Sequence, residues 1–153
     1  MRLRASEVID RPASDVFRFV ATEHWQNHPK WDPAIVELTQ TTSGPIGAGS
    51  KARLVRVDRG RRTEGTVEVV GFEPDQRFDA VSRFGPFVLA QHASLSPLGE
   101  GRTRLDLEID SKAAGLFGVM LWVMRPQFRA TMASSLRTIK EELERSSPPP
   151  TMP

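Results

Sequence analysis

Two histidines four positions apart, His24 and His28, stand among two tryptophans in the stretch HWQNHPKW, residues 24–31. That spacing can turn both imidazoles toward one metal ion on a helix. A third ligand in register is missing and Pro29 follows, so no metal is expected. The expected state of this corner is an exposed loop or short helix, with Trp31 buried as a plug; an indole at a pocket rim can also stack on a flat ligand. A second concentration of chemistry lies between Lys51 and Arg62, where Lys51, Arg53, Arg56, Arg59, Arg61 and Arg62 face a single Asp58, although the net charge of the whole chain is only +2. Such a stretch could touch nucleic acid or anionic lipid. It lacks the interleaved aromatics of a single-strand binder, and a solvated basic hairpin is expected, with no nucleic-acid partner.

Other chemistries are excluded by residue type. The chain has no cysteine and no tyrosine, which removes disulfides, thiolate catalysis and phenol acid–base chemistry. No Gly-x-Ser-x-Gly, phosphate-loop or dinucleotide glycine pattern occurs. The glycine-rich SGPIGAGS at 43–50 lies between strands and lacks the Lys-Ser/Thr pair that seats phosphates. No cofactor is expected.

The elements that must position these residues follow from periodicity. Leu116, Met120, Val123, Met124, Phe128, Met132, Leu136, Ile139 and Leu143 recur at spacings of three and four, the stripe of a long amphipathic C-terminal helix. Pro126 kinks it or divides it in two. Leu3 to Ile9 reads as a first strand. Pro12 with Ser14 or Asp15 opens one short helix, and a second ends at Trp31-Asp32-Pro33. Ile35 to Gln40 is a strand, and a meander runs on from Lys51 to Ile109. Its last strand alternates Leu105, Leu107 and Ile109 with Arg104, Asp106 and Glu108, one face dry and one wet. Strands followed by one long helix predict an α+β fold, a curved antiparallel sheet of about seven strands wrapped around that helix, with two short helices after the first strand. The 153 residues are expected to form a single domain over 1–145 and a disordered Pro-rich tail over 146–153. The apolar run at 113–124 falls short of the roughly 18 residues of a membrane span; a cytoplasmic protein without stable membrane insertion, monomer or homodimer, is expected.

Strand parity then names the side chains of an interior. A two-residue turn at Arg59-Gly60 pairs 58 with 61, 56 with 63, 54 with 65 and 52 with 67. With Val67 and Val69 inward, Ala52, Leu54 and Arg56 are inward too; a turn one residue longer or shorter puts Arg53 inside instead. Phe78 and Ala80, Gln91 and Ala93, and Leu105 and Leu107 complete the inward set, and His92 points out. So many small residues on a concave face leave volume unfilled, and Met120, Met124 and Phe128 of the helix, with Trp31, are expected to close it. Arg56 would hold an anionic group of a ligand, or stand at the mouth paired with a carboxylate such as Glu64. Gln91 would orient a carbonyl or hydroxyl.

The sequence resembles the SRPBCC, or START-like, helix-grip superfamily, which includes lipid-transfer domains, plant pathogenesis-related hormone binders and bacterial polyketide cyclase/dehydrase-like proteins. The resemblance is carried by PASDVF at 12–17, WDP at 31–33, GAGS at 47–50, VVGFEP at 69–74 with Arg77-Phe78, LSP at 95–97 with GRTR at 101–104, and the helix ending KEELE at 140–144. It implies the helix-grip fold and a partner that is a small hydrophobic molecule: a lipid, isoprenoid or polyketide-like compound bound or carried in the cavity. The alternative is a polyketide cyclase or dehydratase using the same cavity, with Arg56 facing an enolate and Gln91 or a bound water orienting it. Under the parity assignment no His, Asp or Glu faces inward, which favours a binder over an enzyme. The segment from Leu116 to Arg125, with Trp122 and the proline kink, sits where a lid would open.

Overall fold

The computed structural model describes residues 1–99 and 101–145; the expected tail at 146–153 lies outside them. After strand β1 (Arg2–Ile9) come helix α1 (Ala13–Phe17), which runs into a π-helical turn over Arg18–Thr22, and helix α2 (His24–Trp31). Six strands follow: β2 (Ile35–Gln40), β3 (Lys51–Asp58), β4 (Arg61–Glu73), β5 (Arg77–Phe84), β6 (Phe87–Pro97) and β7 (Thr103–Ala113). Helices α3 (Leu116–Val123) and α4 (Arg125–Arg145) end the described chain. The seven strands form one antiparallel sheet in the order β1-β7-β6-β5-β4-β3-β2. This is the helix-grip architecture, with α1 and α2 crossing from the first strand of one edge to the second strand at the other.

Local chemistry fixes the register. Arg59 and Gly60 both have positive φ, 52° and 81°, as a two-residue hairpin turn of primed type requires. Asp58 therefore pairs with Arg61, Arg56 with Thr63, Leu54 with Gly65 and Ala52 with Val67. A bulge between Val69 and Gly71 bends β4. Gly71 is favoured there, because a Cβ would overlap the carboxylate of the buried Asp79.

The core lies between the concave face and the helices. Ile9, Val16, Phe17, Val20, Leu54, Val67, Val69, Phe78 and Leu105 meet Leu136, Ile139 and Leu143 of α4. Polar ties hold α4 in place: Lys140 Nζ donates to the Val8 carbonyl and to Glu144, and Glu144 accepts from the Asp10 amide. Ser135 Oγ donates to the Trp31 carbonyl at 2.9 Å, joining α4 to α2.

The C-terminal stripe is divided, and only its second half is core. Met132, Leu136, Ile139 and Leu143 are buried, whereas Leu116, Met120 and Val123 are exposed and Leu121 is the buried residue of α3. Met124, at φ −89° and ψ 6°, interrupts the helix just before Pro126. Phase does not carry across such a break, so α3 presents a different face from the one a continuous helix would.

Candidate ligand-binding site

Between the sheet and α4 lies a cavity of about 30 Å³. Phe78, Gln91, Ala93, Leu105 and Leu107 line it from three neighbouring strands, Ile139 from α4, and Val20, His24 and Trp31 from the helical segment before β2. The wall is largely apolar, and its polar groups belong to His24, Gln91 and the indole of Trp31. The volume admits a water or two but not a larger organic molecule, whose pockets run to several hundred Å³. A ligand must therefore displace Ile139 or its neighbours outward.

His24 is the chemically distinct residue. It opens α2, is buried, and its Nδ1 lies 2.8 Å from the Val20 carbonyl oxygen one turn earlier. A carbonyl only accepts, so Nδ1 carries the proton and Nε2 bears a lone pair. Burial lowers the His24 pKa to about 4, against the opposing hydrogen bond to Val20, and the ring is neutral at pH 7. Its Nε2 is buried without a hydrogen-bond partner. Neighbouring rings clamp it: Phe78 at 4.7 Å, His28 at 4.6 Å and Trp31 at 5.8 Å between centroids.

His28 is buried one turn on, stacked on Trp31 at 5.1 Å. Burial, then the proximity of His24 and Arg56, holds its pKa well below the ordinary value. Among the described residues no group of three His, Cys, Asp or Glu side chains could hold a metal.

The short helix expected before Trp31-Asp32-Pro33 is α2 and Trp31 is buried as expected, but the expected exposure of this corner is corrected, because both histidines are interior. Strand parity could not find His24, because it is a helix residue. Its signal was the spacing Val20, His24, His28 (with Asn27), Trp31, one face of a helix. Low hydrophobicity of the stretch hid that face.

The other sequence-derived residues fall into three groups. Trp31, Phe78, Gln91, Ala93, Leu105 and Leu107 line the cavity together. Ala52, Leu54, Val67, Val69 and Ala80 are buried in the adjoining core without lining it. Met120 is exposed, Met124 and Phe128 are half-buried, and none of the three lines the cavity: the break at Met124 turns α3 away, and Phe128 lies about three turns up α4 from Ile139. Arg56 also stays off the cavity wall. Its Nη1 donates to Asp32 Oδ2 at 2.6 Å, its Nη2 reaches Asp58 at 3.2 Å, and its guanidinium lies 5.3 Å from the Phe84 ring centroid. Glu64 instead pairs with Arg53 and Arg62. His92 faces away from the cavity, bonded through Nδ1 to Asp79 at 2.8 Å, and with Asp106 borders a groove on the other side of the sheet.

Residues 1–144 match the model of the family described as polyketide cyclase / dehydrase and lipid transport. The chain belongs to this family. No curated protein sequence matches it. Solved structures of similar fold include a START superfamily protein from Mycobacterium smegmatis, 19% identical with TM-score 0.74, covering 93% of this chain and 98% of that one. The Zhui aromatase/cyclase from Streptomyces sp. R1128 is 14% identical with TM-score 0.75, covering 95% and 94%. A protein from Thermus thermophilus is 20% identical with TM-score 0.71, covering 94% and 97%. At these identities the likeness is one of fold. The family description joins two classes of activity, polyketide cyclisation or dehydration and lipid transport.

Proposed function

We propose that this family member binds one small, largely apolar molecule between the sheet and α4, and recognises it through a hydrogen-bond donor. The observation that carries this reading is the neutral His24, which lines the cavity and whose Nε2 lone pair is buried without a partner. An unpaired buried acceptor costs about 1–3 kcal/mol, and a ligand hydroxyl or N–H would recover it. Gln91, which makes no side-chain hydrogen bond among the described residues, supplies a second polar contact able to donate or accept. Aromatic faces of Trp31 and Phe78 favour a flat, unsaturated ligand.

The same residue bears on the cyclase or dehydratase reading. A catalytic base works best with a pKa near the operating pH, and His24 at about 4 is a weak one. Its lone pair is better suited to orienting a hydroxyl than to storing a proton, which favours binding over turnover. The reading is tested by isothermal titration with 2-naphthol and with 2-methoxynaphthalene, which has the same ring but no donor. Naphthol should bind at least about tenfold more tightly, and His24→Phe should erase the difference. Equal affinities for the two compounds would refute the donor-selective site.

A further inference from the structure

The most conspicuous surface of the molecule is α3. Six of its eight residues are exposed and apolar: Leu116 (85%), Phe117, Val119, Met120, Trp122 (61%) and Val123 (74%). A contiguous apolar patch of this kind marks an interaction surface.

Its surroundings identify the partner. α3 leaves the sheet at the C-terminal end of β7, where Ala113 pairs with Phe87. Phe84 pairs with Phe87 across the β5–β6 turn, so that turn and the Arg59-Gly60 turn of β3–β4 lie at this same end. Phe117 packs on Phe87 at 5.8 Å, and Arg59 Nη2 donates to Gln127 Oε1 at 3.4 Å, bringing the basic hairpin tip to the start of α4. The guanidinium of Arg125 covers the Trp122 ring at 5.2 Å. Between Ser111 and Lys140 the chain has no Asp or Glu, but it has Lys112, Arg125 and Arg129 before the second half of α4. Arg59 and Arg61 of the hairpin, like these three, form no ion pair among the described residues.

We propose that α3 and the Arg59–Arg61 hairpin tip form one docking surface for an anionic lipid bilayer. The apolar side chains enter the headgroup–acyl boundary, Trp122 lies at the interface, and the cations meet lipid phosphates. Eight helical residues span about 12 Å, so the helix lies on the bilayer and does not cross it; no helix among the described residues is long and apolar enough to do so. Charge decides against a second copy of the chain as the occupant. A two-fold interface on this face would bring both sets of unpaired cations together, and Asp58 of the hairpin tip is already bonded to Arg56. This inference stands on surface residues and is independent of the cavity reading.

The test is co-sedimentation of the full chain with vesicles of phosphatidylcholine alone and of equal parts phosphatidylcholine and phosphatidylglycerol, alongside light scattering of the free protein. The expected result is binding to the anionic vesicles, weakened by salt, and at least about tenfold weaker binding to the neutral ones. Trp122→Asp with Val123→Asp, and separately Arg59→Glu with Arg61→Glu, should each abolish it while leaving the melting temperature unchanged, since all four positions are exposed. No binding to anionic vesicles, binding that survives both double variants, or a homodimer that the Trp122 variant dissociates would overturn the proposal.

Discussion

At the scale of single residues, the folded chain holds two imidazoles where protons are costly. His24 and His28 are neutral in the native state far below pH 6.5, because burial disfavours their charged forms. Once unfolded, they protonate near 6.5. Between that value and about 4 the unfolded chain therefore binds more protons, and stability must fall as the pH falls. The contribution is complete above about pH 6.5. It is lost on acidification at up to about 1.4 kcal/mol per pH unit for each ring. Denaturant titrations at pH 7.0, 6.0 and 5.0 measure it; His24→Phe should remove one of the two contributions to the slope. A flat stability profile over that range would mean that the rings are not buried. Arg56 is a second test at this scale. Replacing it with Ala strips Asp32 of its main partner inside a half-buried corner, and should cost about 1–3 kcal/mol in a denaturant midpoint series.

At the scale of elements, the strands were largely legible in the sequence and the helices less so. The alternation of Leu105, Leu107 and Ile109 named the wet and dry faces of β7, and the Arg59-Gly60 turn set the β3–β4 register residue by residue. Period two is rigid, so one well-placed turn fixes a whole hairpin. The division at Pro126 was readable too, but not the rotation of α3 that follows from it, since a break erases helical phase. The interior face of α2 went unread because its residues are His, Asn and Trp, which hydropathy scores as surface. Two predictions belong here. Gly71→Ala forces a Cβ against the Asp79 carboxylate, which also holds Arg77 and His92; it should destabilise the protein by about 1–3 kcal/mol, and part of that loss should return in Gly71→Ala/Asp79→Ala. In hydrogen exchange, the α3 amides should exchange faster than those of α4 between Met132 and Leu143, because burial of α4 and not of α3 is coupled to the global core.

At the scale of the whole molecule, the sheet and α4 form a grip around an interior that is nearly closed. Small residues on the strands, Ala52, Gly65, Ala80 and Ala93, create room on the concave face, and the helices α2 and α4 take up most of it. What remains is a cavity of about 30 Å³ with one committed acceptor and one adaptable amide. Occupancy by anything larger than water must open the grip, and the break at Met124 leaves the α3 end of the helix pair the less tightly packed one. The most direct measurement is native mass spectrometry of the freshly purified full chain, followed by solvent extraction of whatever it carries. The account predicts a one-to-one adduct, a flat apolar compound with a hydroxyl or N–H, and its loss in His24→Phe. A bare chain mass, together with no saturable binding of 2-naphthol, would contradict it.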